Sequence, residues 1–310
     1  MNVAKRLTSS LALLTMVSAI TFFMILLVPG DPAVTAAGQD ATAEQIAATR
    51  ERLGLDHSIL VQFFHWFGNV LTGDLGTSLQ GAGSVSQLIV DRFPATASLA
   101  LLSIVLSVVI GVPAGVVAAT HRGRAIDRIV TLVSSAGIAV PSFWLGLVLV
   151  IVFSLSTHLL PSSGYVPFTT NPAEWLRYII MPAATLAAAS TAEIARQVRG
   201  SMIDVLEQDY IRTATAKGML PRTVLLKHAL KNSGVPAMTM VGLQVTFLLG
   251  GSVIVEQIFG IPGIGALSIT AVLQRDIPVI QGVVLVAALA VLIVNFFVDL
   301  SYRYFNPKVR

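Results

Sequence analysis

The chain has no cysteine. Disulfides, thiolate metal sites and a cysteine nucleophile are thereby excluded. Charge is also scarce: 12% of the 310 residues are Asp, Glu, Lys or Arg, against about 25% in a soluble domain. No Gly-Lys dipeptide occurs, so the G-x-x-x-x-G-K-[ST] phosphate loop is missing and no ATP hydrolysis is expected of this chain. The five histidines, His57, His65, His121, His158 and His228, are scattered and form no H-E-x-x-H. Two imidazoles eight residues apart in one loop are a poor metal signal, so no metal site is expected. No Ser/His/Asp arrangement is recognisable. These absences argue against an enzyme.

Apolar sequence is what the chain does have: 55% of it is hydrophobic. A soluble fold would have nowhere to put such a surface, whereas a bilayer accepts apolar side chains facing both lipid and core. Charged residues bracket six candidate spans: Leu7–Val28, Phe93–Thr120, Ile129–Thr157, Tyr178–Val198, Ser233–Val255 and Ile277–Leu300. Each approaches or exceeds the roughly 20 residues needed to cross a hydrocarbon core. The first follows Lys5 and Arg6 and exceeds a signal-peptide core, so it reads as a retained helix. The fourth is the least apolar; it is rich in Ala and holds Pro182 and Glu193, as a packed inner helix would. Glu193 is a candidate intramembrane acid, or is expected to form a local ion pair with Arg196, three residues on along the same helix face.

The net charge of +4 is explained by loops that stay inside, and nucleic acid is not an expected partner. With both termini inside, Lys5, Arg6, Arg122, Arg124, Arg128, Arg196, Arg199, Arg212, Lys217, Arg222, Lys227, Lys231, Arg303, Lys308 and Arg310 are cytoplasmic. Arg50, Arg52, Arg92, Arg177 and Arg275 are outside. The split of 15 to 5 among the 20 Lys and Arg sets the orientation: an all-α polytopic protein with six transmembrane helices and both termini cytoplasmic.

The first outer loop opens on Pro29-Gly30-Asp31-Pro32, a helix stop and turn. Thr42 and Gln45 fit a capping box for a short polar helix ending at Leu53 and Gly54. Ser58–Leu71 carries Phe63, Phe64, Trp66 and Phe67, which suits an interfacial helix, either a docking or lid surface or an anchor that shapes the loop. The loop before the last span holds Gly250, Gly251, Gly260, Pro262, Gly263 and Gly265. It reads either as a pathway-lining turn or as an ordinary exposed loop.

The inner segment Arg199–Lys231 is too long for a hairpin connection and reads as two short helices. Asp209 is expected to cap the first, over Tyr210–Lys217, with Gly218 as its stop. Pro221 starts the second. A small-residue helix projecting between spans could seat in a partner protein, or lie on anionic lipid through its Lys and Arg.

The stretch Asp209-Tyr210-Ile211-Arg212-Thr213-Ala214-Thr215-Ala216-Lys217-Gly218, followed by His228-Ala229-Leu230-Lys231-Asn232 and Pro236, resembles the cytoplasmic signature loop of ABC importer permeases in its peptide-permease form. The general importer pattern begins E-A-A; here those positions are Arg212, Thr213 and Ala214, so a contact made by the Glu does not carry over. Further matching stretches are Pro29 to Pro32, Leu53-Gly54-Leu55, Gly73-Asp74-Leu75-Gly76 with Ser78, and Pro141-Ser142-Phe143-Trp144-Leu145-Gly146. Gly250-Gly251 through Val255-Glu256 to Pro262-Gly263-Ile264-Gly265 also matches, as do Arg275-Asp276, Pro278 and Gln281-Gly282. The ordered set is similar to the dipeptide/oligopeptide/nickel permease family, and to its first, B-type, permease subunit.

That resemblance implies a type I ABC importer permease architecture in a bacterial cytoplasmic (inner) membrane. It implies a first transmembrane helix over 1–28 and an extracytoplasmic loop with short interfacial helices over 29–92. A five-helix permease core over 93–305, with a cytoplasmic coupling loop at 199–232, and a tail at 306–310 complete the division. The implied function is ATP-driven import of di- or oligopeptides, with nickel chelates, glutathione or haem as cargoes elsewhere in the family. The implied partners are a second homologous permease, two ATP-binding subunits, an extracytoplasmic substrate-binding protein and membrane lipid. ATP and Mg would sit on the partner subunits, with no cofactor on this chain. Asp209 to Gly218 become the ATPase-coupling residues; Pro141, Ser142, Trp144, Gly250, Gly251 and Glu256 become candidates for lining the pathway. A secondary transporter working without an ATPase is the alternative from another class. It would need inverted repeats and intramembrane charge, and neither is evident.

Overall fold

A computed structural model describes residues 3–24, 30–38 and 40–305. Among these the regular elements are helices, apart from an isolated bridge between Thr77 and Ser84. In chain order the helices are α1 (Val3–Met24), α2 (Pro32–Ala37), α3 (Ala43–Arg52), α4 (Ile59–Leu71), α5 (Val85–Thr120), α6 (Ala125–Ala139) and α7 (Ser142–Leu149). There follow α8 (Pro172–Leu206), α9 (Asp209–Ala216), α10 (Pro221–Thr223), α11 (Gly234–Phe259), α12 (Ile264–Gln274) and α13 (Ile277–Phe305). The turns Val150–Ser156 after α7 and Val224–Leu230 after α10 take the wider π register.

Among the described residues three helices are long and apolar enough to cross a bilayer unbroken: Val85–Thr120, Pro172–Leu206 and the Ile277–Phe297 part of α13. Two bent pairs qualify if each counts as one span: Ala125–Ala139 with Ser142–Ser156, bent by 102°, and Met238–Leu248 with Gly250–Phe259, bent by 50°. The expected first span ends in residues 25–28, outside the described residues; its described apolar run is Leu11–Met24.

The 102° bend corrects the expectation of one continuous helix over Ile129–Thr157. Pro141 is the cause. Its ring disfavours the helical region for the preceding residue, and Val140 accordingly lies at φ −76°, ψ 122°. The Gly-rich loop is also corrected. Gly250 and Gly251 lie inside α11, and α12 follows the short turn Gly260–Gly263. Of the two, Gly251 is in helix contact, since a Cβ on it would lie 3.4 Å from the Leu186 side chain, whereas a Cβ on Gly250 would meet nothing within 4 Å.

The chain divides into two compact units. The first comprises residues 1–94 and 263–292. Its core is Val85, Ile89, Ile264, Leu267, Ala271, Val279 and Val283. Gly282 lets α13 press against the start of α5, since a Cβ there would meet Val85 Cγ1 at 2.6 Å. The buried Asp276 carboxylate accepts from the Ser78 hydroxyl and, at 3.2 Å, from the Leu79 N–H, tying the Gly73–Ser84 loop to the α12–α13 corner. In the outer loop the Thr42/Gln45 capping box forms, with bonds of 3.3 and 2.8 Å. Phe63 and Trp66 of α4 pack on Phe22 of α1 at centroid distances of 5.4 and 5.3 Å. The aromatic stretch therefore has a packing role, while Phe64 on its other face stays exposed.

The second unit comprises residues 95–262 and 293–310. Helix α8 is its central element, packed against α6, α7 and α11. Asn171 caps it by accepting from the Ala173 and Glu174 N–H groups at 3.1 and 3.2 Å. The span with the least apolar sequence is thus the most buried of the three unbroken ones: 61% of its apolar window is covered, against 22% for α5. Apolar surface gains little by moving from lipid into a protein core, so close packing carries the association of such helices. Gly111 and Gly115 supply it as a G-x-x-x-G face on α5. A Cβ at Gly111 would sit 2.8 Å from the Thr191 carbonyl, and one at Gly115 2.6 Å from the Ala195 carbonyl.

Candidate functional site

The signature loop follows directly from α8. Helix α9 starts at Asp209 itself, one residue earlier than expected, and its N-cap is Gln208, whose backbone carbonyl accepts from Ile211 N–H at 3.0 Å. Asp209 is therefore not the cap. It stands in the first turn, where a carboxylate complements the helix dipole, and faces Arg212 at 3.4 Å. At the other end Gly218 takes φ +78°, the left-handed conformation that closes a helix. Its N–H donates to the Thr215 carbonyl at 3.0 Å. Pro221 then opens α10. The expected second α-helix widens into π turns, which puts Val224 and Ala229, five residues apart, on one buried face.

Helix α9 has two distinct faces. Ile211 is buried with Ala119, Ile194, Val198, Met202, Val224 and Ala229, and Ala214 is half-buried against the same cluster. Tyr210 accepts from Asn232 Nδ2 at 3.0 Å. The opposite face, Arg212, Thr213, Ala216 and Lys217, is exposed. A Cβ added at Gly218 would meet nothing within 4 Å, so the demand for glycine there comes from its backbone conformation.

Three ion pairs surround the base of this loop. Arg199, near the end of α8, grips Asp127 in the first turn of α6 with two bonds of 2.5 and 2.9 Å. Asp127 is buried, and the Gly123 N–H donates to it at 2.9 Å. This fork geometry is the strong, orienting form of the Arg–carboxylate bond. Arg122 pairs with Glu207, with both side chains exposed. The expected Glu193–Arg196 pair forms at 2.7 Å. The sequence reading missed the Asp127–Arg199 lock; its one sign was an acid set between Arg124 and Arg128.

The pathway candidates lie elsewhere in the same unit. Pro141, Ser142 and Trp144 stand at the bend between α6 and α7, with Trp144 exposed. Gly250 and Gly251 stand at the bend of α11. Glu256 is fully buried and accepts from Thr96 Oγ1 at 2.8 Å, joining α11 to α5. Among the described residues, no group of three or more His, Cys, Asp or Glu is arranged to hold a metal ion.

Bent and straight apolar helices, with a short helix on one loop between them, suit a membrane permease component. Residues 111–310 match the family of binding-protein-dependent transport system inner membrane components, and residues 2–100 match that system's N-terminal membrane component. The chain belongs to this family, in its dipeptide/oligopeptide/nickel branch. It is 43% identical over 309 residues to a probable peptide ABC transporter permease of Sinorhizobium fredii, covering 99% of this chain and 98% of that one. It is 41% identical over 308 residues to the glutathione transport system permease GsiC of Escherichia coli K12, with the same coverage of 99% and 98%. Its fold matches a chain of the methionine ABC transporter MetNI, crystallised in an inward-facing conformation, with a TM-score of 0.59. That likeness covers 71% of this chain and 97% of the other at 18% identity, and it is a likeness of fold.

Proposed function

We propose that this chain is one half of the translocation pathway of an ATP-driven importer for di- or oligopeptides, and that α9 is its coupling helix. The observation that carries the reading is the two-faced seating of α9. Ile211 anchors one face in the chain's own core, while Arg212, Thr213 and Ala216 present a shallow face to a partner. Residues of small bulk there let a groove close around the helix. On this reading six helices span the bacterial inner membrane with both termini cytoplasmic. The assembly adds a second permease, two ATP-binding subunits that carry ATP and Mg, and an extracytoplasmic binding protein. Closure of the ATP-binding subunits displaces α9, and the spans alternate between inward- and outward-facing states. Such alternation requires the two states to differ in their affinity for ATP.

The peptide relative of Sinorhizobium fredii favours peptide cargo. The glutathione relative at 41% identity supports a second reading, import of glutathione, itself a tripeptide. Uptake of labelled dipeptide and labelled glutathione by proteoliposomes holding the complete system decides between them. In the same vesicles Thr213→Trp is expected to leave ATP hydrolysis within about twofold and to lower uptake at least about tenfold. Wild-type uptake by that variant overturns the coupling role.

A further inference from the structure

The Gln281-Gly282 pair belongs to a matching stretch that the coupling reading does not use. It sits at the start of α13 in the first unit, where Gly282 is pressed on Val85 and fixes the helix rotation. Gln281 is 6% exposed, and its Nε2 has no hydrogen-bond partner. A buried amide donor left unpaired is costly and uncommon. Gln281 lines a cavity of about 440 Å³, within the size range of small-molecule sites. Trp66 and the buried Phe22 give the cavity an aromatic wall, and their mutual packing at 5.3 Å holds that wall in place. Glu51 and Arg52, adjacent at the end of α3, bring one charge of each sign to it, and His65 adds an imidazole.

We propose that this cavity, on the outer side in the proposed topology, is a receiving site for the zwitterionic cargo peptide on the permease itself. An aromatic wall takes an apolar side chain. Arg52 takes a terminal carboxylate and Glu51 a terminal ammonium. The Gln281 amide donates to a peptide carbonyl and so acquires the partner it lacks. The aromatic outer-loop helix then has a binding role as well as a packing one. The site rests on the proposed peptide function.

The test uses the complete transporter complex in nanodiscs without the binding protein. Its probes are the dipeptide Ala-Phe, its C-terminal amide and its N-acetyl form, read by calorimetry. Ala-Phe is expected to bind, and each blocked form to bind at least about fivefold more weakly. Gln281→Leu and the exposed Arg52→Gln are expected to weaken Ala-Phe at least about tenfold, while the complex keeps its melting temperature. No binding by the wild type, or wild-type affinity in both variants, overturns the site. If the variants instead weaken only the docking of the binding protein, the cavity is a protein contact and the proposal also falls. Uptake of Ala-Phe by the wild-type system with its binding protein separates the two levels. Absent uptake rejects the peptide function, whereas normal uptake with undisturbed binding in the variants rejects the cavity alone.

Discussion

Replacing Asp127 tests whether the base of the coupling loop is held as the geometry implies. Breaking a buried ion pair from one side costs about 3–5 kcal/mol, because the remaining charge loses its partner. Here the Arg199 side chain keeps 31% of its exposure, so solvent screens it and the cost falls to about 2–3 kcal/mol. Asp127→Ala also strands the Gly123 N–H, which the carboxylate accepts at 2.9 Å. The assay is a double-mutant cycle with Asp127→Ala, Arg199→Ala and the pair together, measured by detergent-induced unfolding of the purified complex. A bidentate pair at 2.5 and 2.9 Å should give a coupling energy of about 1.5–3 kcal/mol. The double variant should be more stable than Asp127→Ala alone, since no buried charge is then left unpaired. A coupling energy below about 0.5 kcal/mol would refute the argument.

Three further substitutions give simpler tests. Gly115→Leu forces a side chain into a gap where even a Cβ would lie 2.6 Å from the Ala195 carbonyl. It should cost upward of about 3 kcal/mol and lower the amount of assembled complex, measured by blotting of membranes. Gly218→Ala meets no steric contact but must hold φ +78°. It should cost about 1–2 kcal/mol, seen as faster proteolysis of the 199–232 loop, whereas Gly81→Ala, at φ +74° and equally free of steric contact, should leave that loop's cleavage unchanged. Glu256→Leu removes a buried acid that accepts from Thr96. Stability should fall by about 1–3 kcal/mol in a melting assay, with Glu256→Gln recovering most of it.

Much of the fold was legible because the bilayer imposes a strong pattern. Apolar runs bracketed by charges marked the helices, and the Thr42/Gln45 box and the Gly218 stop were readable as local backbone chemistry. The central place of α8 was legible in its Ala-rich, less apolar composition, since small residues at an interface and bulky ones toward lipid follow from packing alone. The bend at Pro141 was present in the letters but hidden, because hydropathy continues smoothly across it while only the residue before the proline changes conformation. Gly251 misled for the opposite reason: glycine marks a turn and a close helix contact equally well, and only the neighbouring Leu186 decides between them. The Asp127–Arg199 lock was out of reach, since the two residues are 72 apart in sequence and meet only through packing of α6 on α8. The α9 site was legible as a segment, but its two faces were not; that Ile211 points in and Thr213 out depends on where Gln208 starts the helix.

The most direct test of the coupling claim exploits the absence of cysteine. Single cysteines at Thr213, Ala216 and Ile211 are introduced one at a time into the complete complex and labelled with a benzophenone maleimide, whose photoreactive arm then inserts into C–H bonds of the neighbouring subunit and needs no thiol there. The account predicts that Thr213→Cys and Ala216→Cys join this chain to an ATP-binding subunit, with a yield that changes on adding ATP and Mg, while the buried Ile211→Cys does not react. Equal reaction at all three positions, or no product with an ATP-binding subunit at Thr213 and Ala216, would contradict it.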